Sequence, residues 1–337
     1  MTRRLRSVLI VAGIALIILL SVAITLTIGW RLFIGPRARA LTDRHVEATT
    51  ARLERGKYLV DSVMGCLGCH TETDSRRAGS LPVEGRLGAG TRWADTNFPW
   101  LIAPNITPDK ETGAGNWIDD MLARAIREGI GHDGRALFPV MPYQDYRAMS
   151  DEDLASVIVY IRSLPVVRNQ LPASQIPLPV SLLINNLPQP ITAPVPAPDF
   201  STPVLRGTYL TRMGSCANCH TPIENLQPIA GLEMAGGFVF SLPTGVVASA
   251  NITPDPSGIS YYDEALFIRA LREGRVGARQ LNPAMPWWFY SKMTDDDLKS
   301  IFAYLKTVKP VKHQIDNFEP PTFCRLCKQK HGFGSTN

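Results

Sequence analysis

The longest apolar run lies near the start of the chain, where only Gly13, Ser21, Thr25 and Thr27 interrupt aliphatic side chains between Val8 and Ile28. At 1.5 Å per residue this is about 32 Å of helix, enough to cross a hydrocarbon core of about 30 Å. A cleavable signal peptide would have a shorter apolar core followed by a small-residue cleavage site. Trp30, Arg31 and Phe33 follow instead, so residues 1–34 read as an uncleaved membrane anchor. Arg3, Arg4 and Arg6 precede the span and Arg31, Arg37, Arg39 and Arg44 follow it, so positive charge does not orient it.

Beyond the span the periodicity becomes helical and is written twice. Ile158, Ile161 and Leu164 form one apolar stripe, and Ile301, Leu305 and Val308 form another, with Pro165 and Pro310 stopping each helix. Ser150 and Thr294 are the predicted N-caps, followed by acids that complement the positive helix end. Met149 and Met293 are placed to staple onto Leu154 and Leu298. A second predicted helix ends at Ala125-Ile126-Arg127-Glu128-Gly129 in one copy and Ala270-Leu271-Arg272-Glu273-Gly274 in the other, each closed by glycine.

These elements belong to one internal repeat. Gly56, Tyr58 and Leu59 lead into Cys66-x-x-Cys69-His70, as Gly207, Tyr209 and Leu210 lead into Cys216-x-x-Cys219-His220. NITPD occurs at Asn105 to Asp109 and again at Asn251 to Asp255, and Met141-Pro142 is answered by Met285-Pro286. The repeat divides the chain into an anchor (1–34), a first helical module (50–170), a second (204–312) and a tail (313–337). Between the modules, residues 171–203 carry prolines at 172, 177, 179, 188, 190, 194, 196, 198 and 203. Such spacing favours an extended, semi-rigid linker over a packed element.

In a chain of 337 residues the formal net charge is only +5, without a basic block, which argues against nucleic acid as a partner. The chemistry sits in the cysteines. Two thiols one turn apart with histidine immediately after are what covalent haem c requires: two thioether bonds and one axial imidazole. Cys66, Cys69, Cys216 and Cys219 are therefore candidate attachment points for two haem c groups, with His70 and His220 as proximal ligands. A thioredoxin-like redox pair or a zinc site is the competing reading; it needs a βαβ context or a second ligand pair beside each motif.

A methionine on the opposite face would fill the sixth position. Met141 and Met285 are preferred because they lie in proline-flanked loops, whereas helix capping already explains Met149 and Met293; core filling is the other role open to Met141. His45, His132, His313 and His331 have no counterparts in the repeat and read as loop residues. Asn105, Thr107, Asn251 and Thr253 bond either loop backbone or haem propionates. Trp93, Trp100, Trp117, Tyr262, Trp287 and Trp288 line haem pockets or pack the core. A third pair, Cys324-x-x-Cys327, ends in Lys328 and reads as a local disulfide, a lysine-ligated third haem being the alternative.

With CxxCH, NITPD, REG, Met-Pro and the Met-Ser/Thr-acid helix start in order, twice over, residues 50–312 resemble the cytochrome c subunits of membrane-bound alcohol and gluconate dehydrogenases. The resemblance implies an all-α fold: an N-terminal transmembrane helix followed by two tandem class I cytochrome c domains. It implies His/Met-ligated haems, His70 with Met141 and His220 with Met285, passing electrons from a periplasmic dehydrogenase towards quinone or a terminal oxidase. Those subunits typically carry three haem modules; this chain has two. Haem c attachment outside the cytoplasm then puts the modules in the periplasm, on a single-pass inner-membrane anchor, with a dehydrogenase, oxidase or respiratory complex as redox partner. The enzymatic alternative is a dihaem peroxidase or related oxidoreductase with one open haem, which would need asymmetry between the modules. A third possibility is a structural subunit whose haems only hold the fold.

Overall fold

The computed structural model describes residues 3–25, 35–74, 81–93, 97–224, 227–242, 245–277, 279–315, 322–323 and 330–331. Cys324, Cys327 and the Trp30 to Phe33 flank lie outside the described residues. Helix α1 (Arg3–Ile24) contains the one described helix long and apolar enough to cross a membrane, Arg4–Ile24, with mean hydropathy 3.0 and no burial against the rest of the chain.

Residues 35–49 form a strap along the first half. Arg39 makes two bonds to Asp120, at 2.6 and 2.8 Å, and a third to Glu128 at 3.0 Å. The Thr42 N–H donates to Asp120 at 2.8 Å and the Val46 N–H to Asp119 at 3.0 Å. Arg124 answers by donating to the Arg39 carbonyl at 3.0 Å.

Each half is built on a first helix crossed by a last one. In the first half, α2 (Thr50–Tyr58) starts at Thr49, whose side chain accepts from the Arg52 N–H, and leads to the short attachment helix α3 (Cys66–Cys69). After α4 (Asp119–Glu128) and the one-turn α5 (Tyr143–Tyr146), α6 (Asp151–Ser163) packs back across α2. Helix α7 (Leu178–Ile184) falls in the stretch of chain that joins the halves. The second half repeats the order in α8 (Pro203–Met213), α9 (Cys216–His220), α10 (Glu264–Glu273), α11 (Trp287–Tyr290) and α12 (Asp295–Leu305).

The predicted caps are present: Ser150 accepts from the Asp153 N–H at 3.1 Å and Thr294 from the Asp297 N–H at 3.2 Å. Gly129 and Gly274 end their helices at φ 73° and 64°, a left-handed conformation only glycine adopts without strain. Where α2 crosses α6 a Cβ on Gly56 would stand 1.9 Å from the Ser156 carbonyl oxygen. Gly207 has the same 1.9 Å approach to Ser300 where α8 crosses α12.

Between glycine and first cysteine the first copy has one residue more than the second. The structure absorbs it as a single π turn, Leu59–Val63, closed by the Met64 N–H on the Leu59 carbonyl at 2.7 Å. The helix thereby keeps both its crossing glycine and its cysteines in register.

Two departures from the expected all-α architecture stand out. Among the described residues, six two-stranded antiparallel pairs punctuate the long loops; the longest joins Val239–Leu242 to Gly245–Ala248. The proline-rich stretch is not extended throughout, since α7 forms inside it. Pro179 falls in the first turn, where no N–H is needed, and Ile184 is then buried with Leu101, Ala136 and Phe138 in a satellite cluster. Trp93 and Trp100 pack against that cluster; Trp288 belongs to the main core, and Trp117, Tyr262 and Trp287 pack against it.

That main core runs continuously through both halves, from Leu59, Ile126, Met149, Leu154 and Ile158 to Leu210, Phe267, Met293, Leu298 and Ile301. The fully buried leucines among them, Leu59, Leu154 and Leu298, each contribute about 1.5–3 kcal/mol. Polar contacts across the junction are reciprocal. The Tyr209 hydroxyl donates to Asp153 at 2.6 Å and accepts from the Ser150 N–H at 3.4 Å; the Tyr58 hydroxyl donates to Asp297 and accepts from the Thr294 N–H at 3.2 Å. Each half thus supplies a tyrosine that completes the N-cap of the other half's last helix.

Candidate haem centres

Each CxxCH motif is a single helical turn entered through a left-handed residue, Gly65 at φ 60° or Ser215 at φ 51°. That reversal turns the chain out of the preceding helix and sets both cysteines and the histidine on one short turn. Cys66, Cys69, Cys216 and Cys219 are not joined in disulfides. Cys69 and Cys219 keep solvent-open surfaces, yet the surrounding protein pushes their thiols up to about 11 and about 12; Cys66 and Cys216 are pushed up to about 12 by burial. These are the opposite of the depressed thiols of a disulfide oxidoreductase. Among the described residues no cluster of three or more His, Cys, Asp and Glu side chains forms a zinc-type site.

The histidines are oriented identically. His70 Nδ1 lies 2.8 Å from the Pro104 carbonyl and His220 Nδ1 2.7 Å from the Ala250 carbonyl. A carbonyl only accepts, so Nδ1 carries the proton and Nε2 presents its lone pair for a metal. Burial lowers the pKa of both imidazoles against the opposing pull of these bonds, which favours the neutral form a ligand requires. Backbone bonds from Gly90 N–H to His70 and Gly236 N–H to His220, at 2.8 and 2.7 Å, hold the turns from below.

NITPD turns out to be scaffolding. Asn105 Nδ2 donates to Val167 and Asn251 Nδ2 to Val311, both at 2.8 Å, while each amide oxygen accepts from the N–H and hydroxyl of Thr107 or Thr253. The motif ties its loop to the chain leaving the last helix, and the residue just before it supplies the carbonyl that aims the histidine. Nothing in the spacing of the cysteines signals that role; the shared position ahead of a repeated motif is the one cue.

Met141 and Met285 are half-buried against the main core, whereas Met149 and Met293 are fully buried within it. Of the unmatched histidines, His132 is exposed and stacks on Trp117 at 4.4 Å between centroids. His313 is more than a loop residue: its Nδ1 lies 3.0 Å from the Ala235 carbonyl, at the place where Asn169 Nδ2 donates to Ala89 at 2.8 Å in the first half. His45 is exposed, 3.9 Å from Asp119, and the side chain of His331 lies outside the described residues.

The cytochrome c family model matches residues 53–165, the stretch from the first helix through the first CxxCH turn to the end of α6. Residues 53–165 are a cytochrome c domain. The donor set of this domain fits a covalently held haem: two unpaired thiols on one turn beside an imidazole with Nε2 available. Over most of its length the chain is similar to cytochrome c subunits of dehydrogenases. It is 28% identical to the alcohol dehydrogenase (quinone) cytochrome c subunit of Gluconobacter oxydans over 84% of this chain and 61% of that one. It is 30% identical to the gluconate 2-dehydrogenase cytochrome c subunit of Pantoea cypripedii over 78% and 60%. A diheme cytochrome c-type protein of Cereibacter sphaeroides is 28% identical over 74% of this chain and 83% of its own length. The chain spans about three fifths of the length of the two dehydrogenase subunits.

Proposed function

We propose that the chain is a membrane-anchored dihaem electron relay, with cytochrome c domains at residues 50–170 and 204–312. Cys66 and Cys69 hold one haem c and Cys216 and Cys219 the other; His70 with Met141, and His220 with Met285, are the axial ligands. Residues 1–34 tether the relay to the inner membrane with both domains in the periplasm. Bound haem supplies a one-electron couple, and the protein's part is to fix its ligands and close the iron to small molecules. The observation that carries this reading is the repetition of one donor geometry. His220 makes the same Nδ1-to-carbonyl bond as His70, and each half offers the same Met-Pro loop. That symmetry supports a carrier over a peroxidase, whose catalytic iron would need an open position in one half.

The partner by this reading is a dehydrogenase or quinol-oxidising donor, with a terminal oxidase or other redox protein as acceptor. The named relatives support a dehydrogenase. The test is the purified full chain: two haems per polypeptide and an oxidised-state band near 695 nm accounting for two His/Met irons. One haem, or a missing band at two haems, would overturn the assignment. Co-purification of a dehydrogenase or oxidase subunit from solubilised membranes would name the partner.

A further inference from the structure

The segments that lead into the two attachment turns meet at the junction between the halves. The Val63 carbonyl is 3.5 Å from where a Cβ on Gly214 would stand. Phe289 of the second half packs against the first half's attachment turn, so close that a Cβ on Gly68 would fall 2.0 Å from its ring. Cys219 is within electrostatic reach of Cys69 across the junction. With haems bound as proposed, the cysteines would carry their thioether edges, and this packing would set those edges on the side of the junction.

Into the same junction each half inserts one tyrosine, five residues after its Met-Pro methionine. Tyr146 is 2% exposed, and its hydroxyl donates to the Met64 carbonyl at 3.3 Å; the Tyr290 hydroxyl donates to the Gly214 carbonyl at 2.9 Å. Each acceptor lies two residues before the first cysteine of that tyrosine's own half. Tyr146 is near Cys66, Cys69 and Tyr290, while Tyr290 is near Cys216, Cys219 and, across the junction, Cys69.

We propose that Tyr146 and Tyr290 form the internal electron bridge of this chain, coupling the thioether edges of its two haems through packed protein. The proposal rests on the two-haem reading above. In the step, one electron leaves a ferrous iron in one half and reduces the ferric iron in the other; no bond forms or breaks. No proton moves, since each phenol keeps its hydrogen bond to a backbone carbonyl. Electron tunnelling falls off steeply across gaps and less steeply through packed, hydrogen-bonded atoms, which is what the tyrosine pair supplies.

The experiment uses the full chain in detergent, with laser-flash reduction followed by electron equilibration between the haems. The double variant Tyr146→Leu/Tyr290→Leu should slow equilibration at least tenfold while haem count, the 695 nm band and both midpoint potentials hold. Tyr146→Phe/Tyr290→Phe, which keeps the rings and loses only the carbonyl bonds, should fall between it and the parent. The parent should also show a Soret circular-dichroism couplet from two close haems. Two haems with a rate unchanged in the leucine variant would overturn the bridge alone, as would a rate proportional to protein concentration. If the leucine variant fails to fold, an unchanged rate in the phenylalanine variant, or a missing couplet in the parent, would overturn it. One haem per chain would overturn the two-haem reading and the bridge with it.

Discussion

Replacing Asp120 by asparagine should loosen the strap that links the apolar helix to the cytochrome c domain. The Asp120 side chain is wholly buried, and burial alone would raise its pKa. The Arg39 and Thr42 hydrogen bonds and the Arg39 charge outweigh burial and hold the carboxyl at about 2, against 3.8 for a free aspartate. At 1.36 kcal/mol per pH unit that depression is about 2.4 kcal/mol. Arg39 and Arg44 are partly open to solvent, so screening brings the useful part to about 2 kcal/mol. Arg39 keeps Glu128 as a partner in the variant and is not stranded. A loss of about 2 kcal/mol raises the open population of the strap about 30-fold. Hydrogen exchange at the Thr42 and Val46 amides, in the full chain in detergent, should therefore accelerate about 30-fold, with faster tryptic cleavage at Arg37, Arg39 and Arg44. In the unmutated protein the folded-state pKa is the depressed one, so the stabilisation is complete above pH 3.8 and is lost as pH falls towards 2. Unchanged protection of Thr42 in the variant would refute the reasoning.

Gly56→Ala and Gly207→Ala should each cost several kcal/mol, because the added methyl would meet a helix carbonyl at 1.9 Å; melting temperature and yield of haem-loaded protein report it. Tyr209→Phe removes a bond to a buried carboxylate and the partner of the Ser150 N–H, so urea denaturation should show a loss of about 1.5–3 kcal/mol. His313→Asn should be tolerated, since Asn169 fills that place in the other half. His313→Ala should lower stability by about 1 kcal/mol, read as a shift in the thermal midpoint.

What could be read from the chain was whatever local chemistry determines. Ser150 and Thr294 cap and Gly129 and Gly274 terminate because each role is settled within one helical turn. The roles that stayed hidden depend on partners far away in sequence. Pro104 and Ala250 matter through a backbone carbonyl, which leaves no mark on side-chain identity. Tyr58 and Tyr209 bond carboxylates more than fifty residues away and in the opposite half. Helix α7 was masked by prolines at 177 and 179, which suggest extended chain but fall at the cap and first turn of a helix. His313 had no repeat partner of its own type, and only superposition of function on Asn169 reveals one.

The π turn at Leu59–Val63 bears on how two copies of a unit can drift apart. An added residue in an ordinary helix rotates everything beyond it by about 100°. Before an attachment motif, that would swing both thiols and the imidazole away from the crevice they serve. Confined to one widened turn, the insertion changes the chain's length and leaves its aim intact. A paralogue can therefore gain or lose a residue at this spot and still mature its cofactor, and length variation between copies should concentrate there.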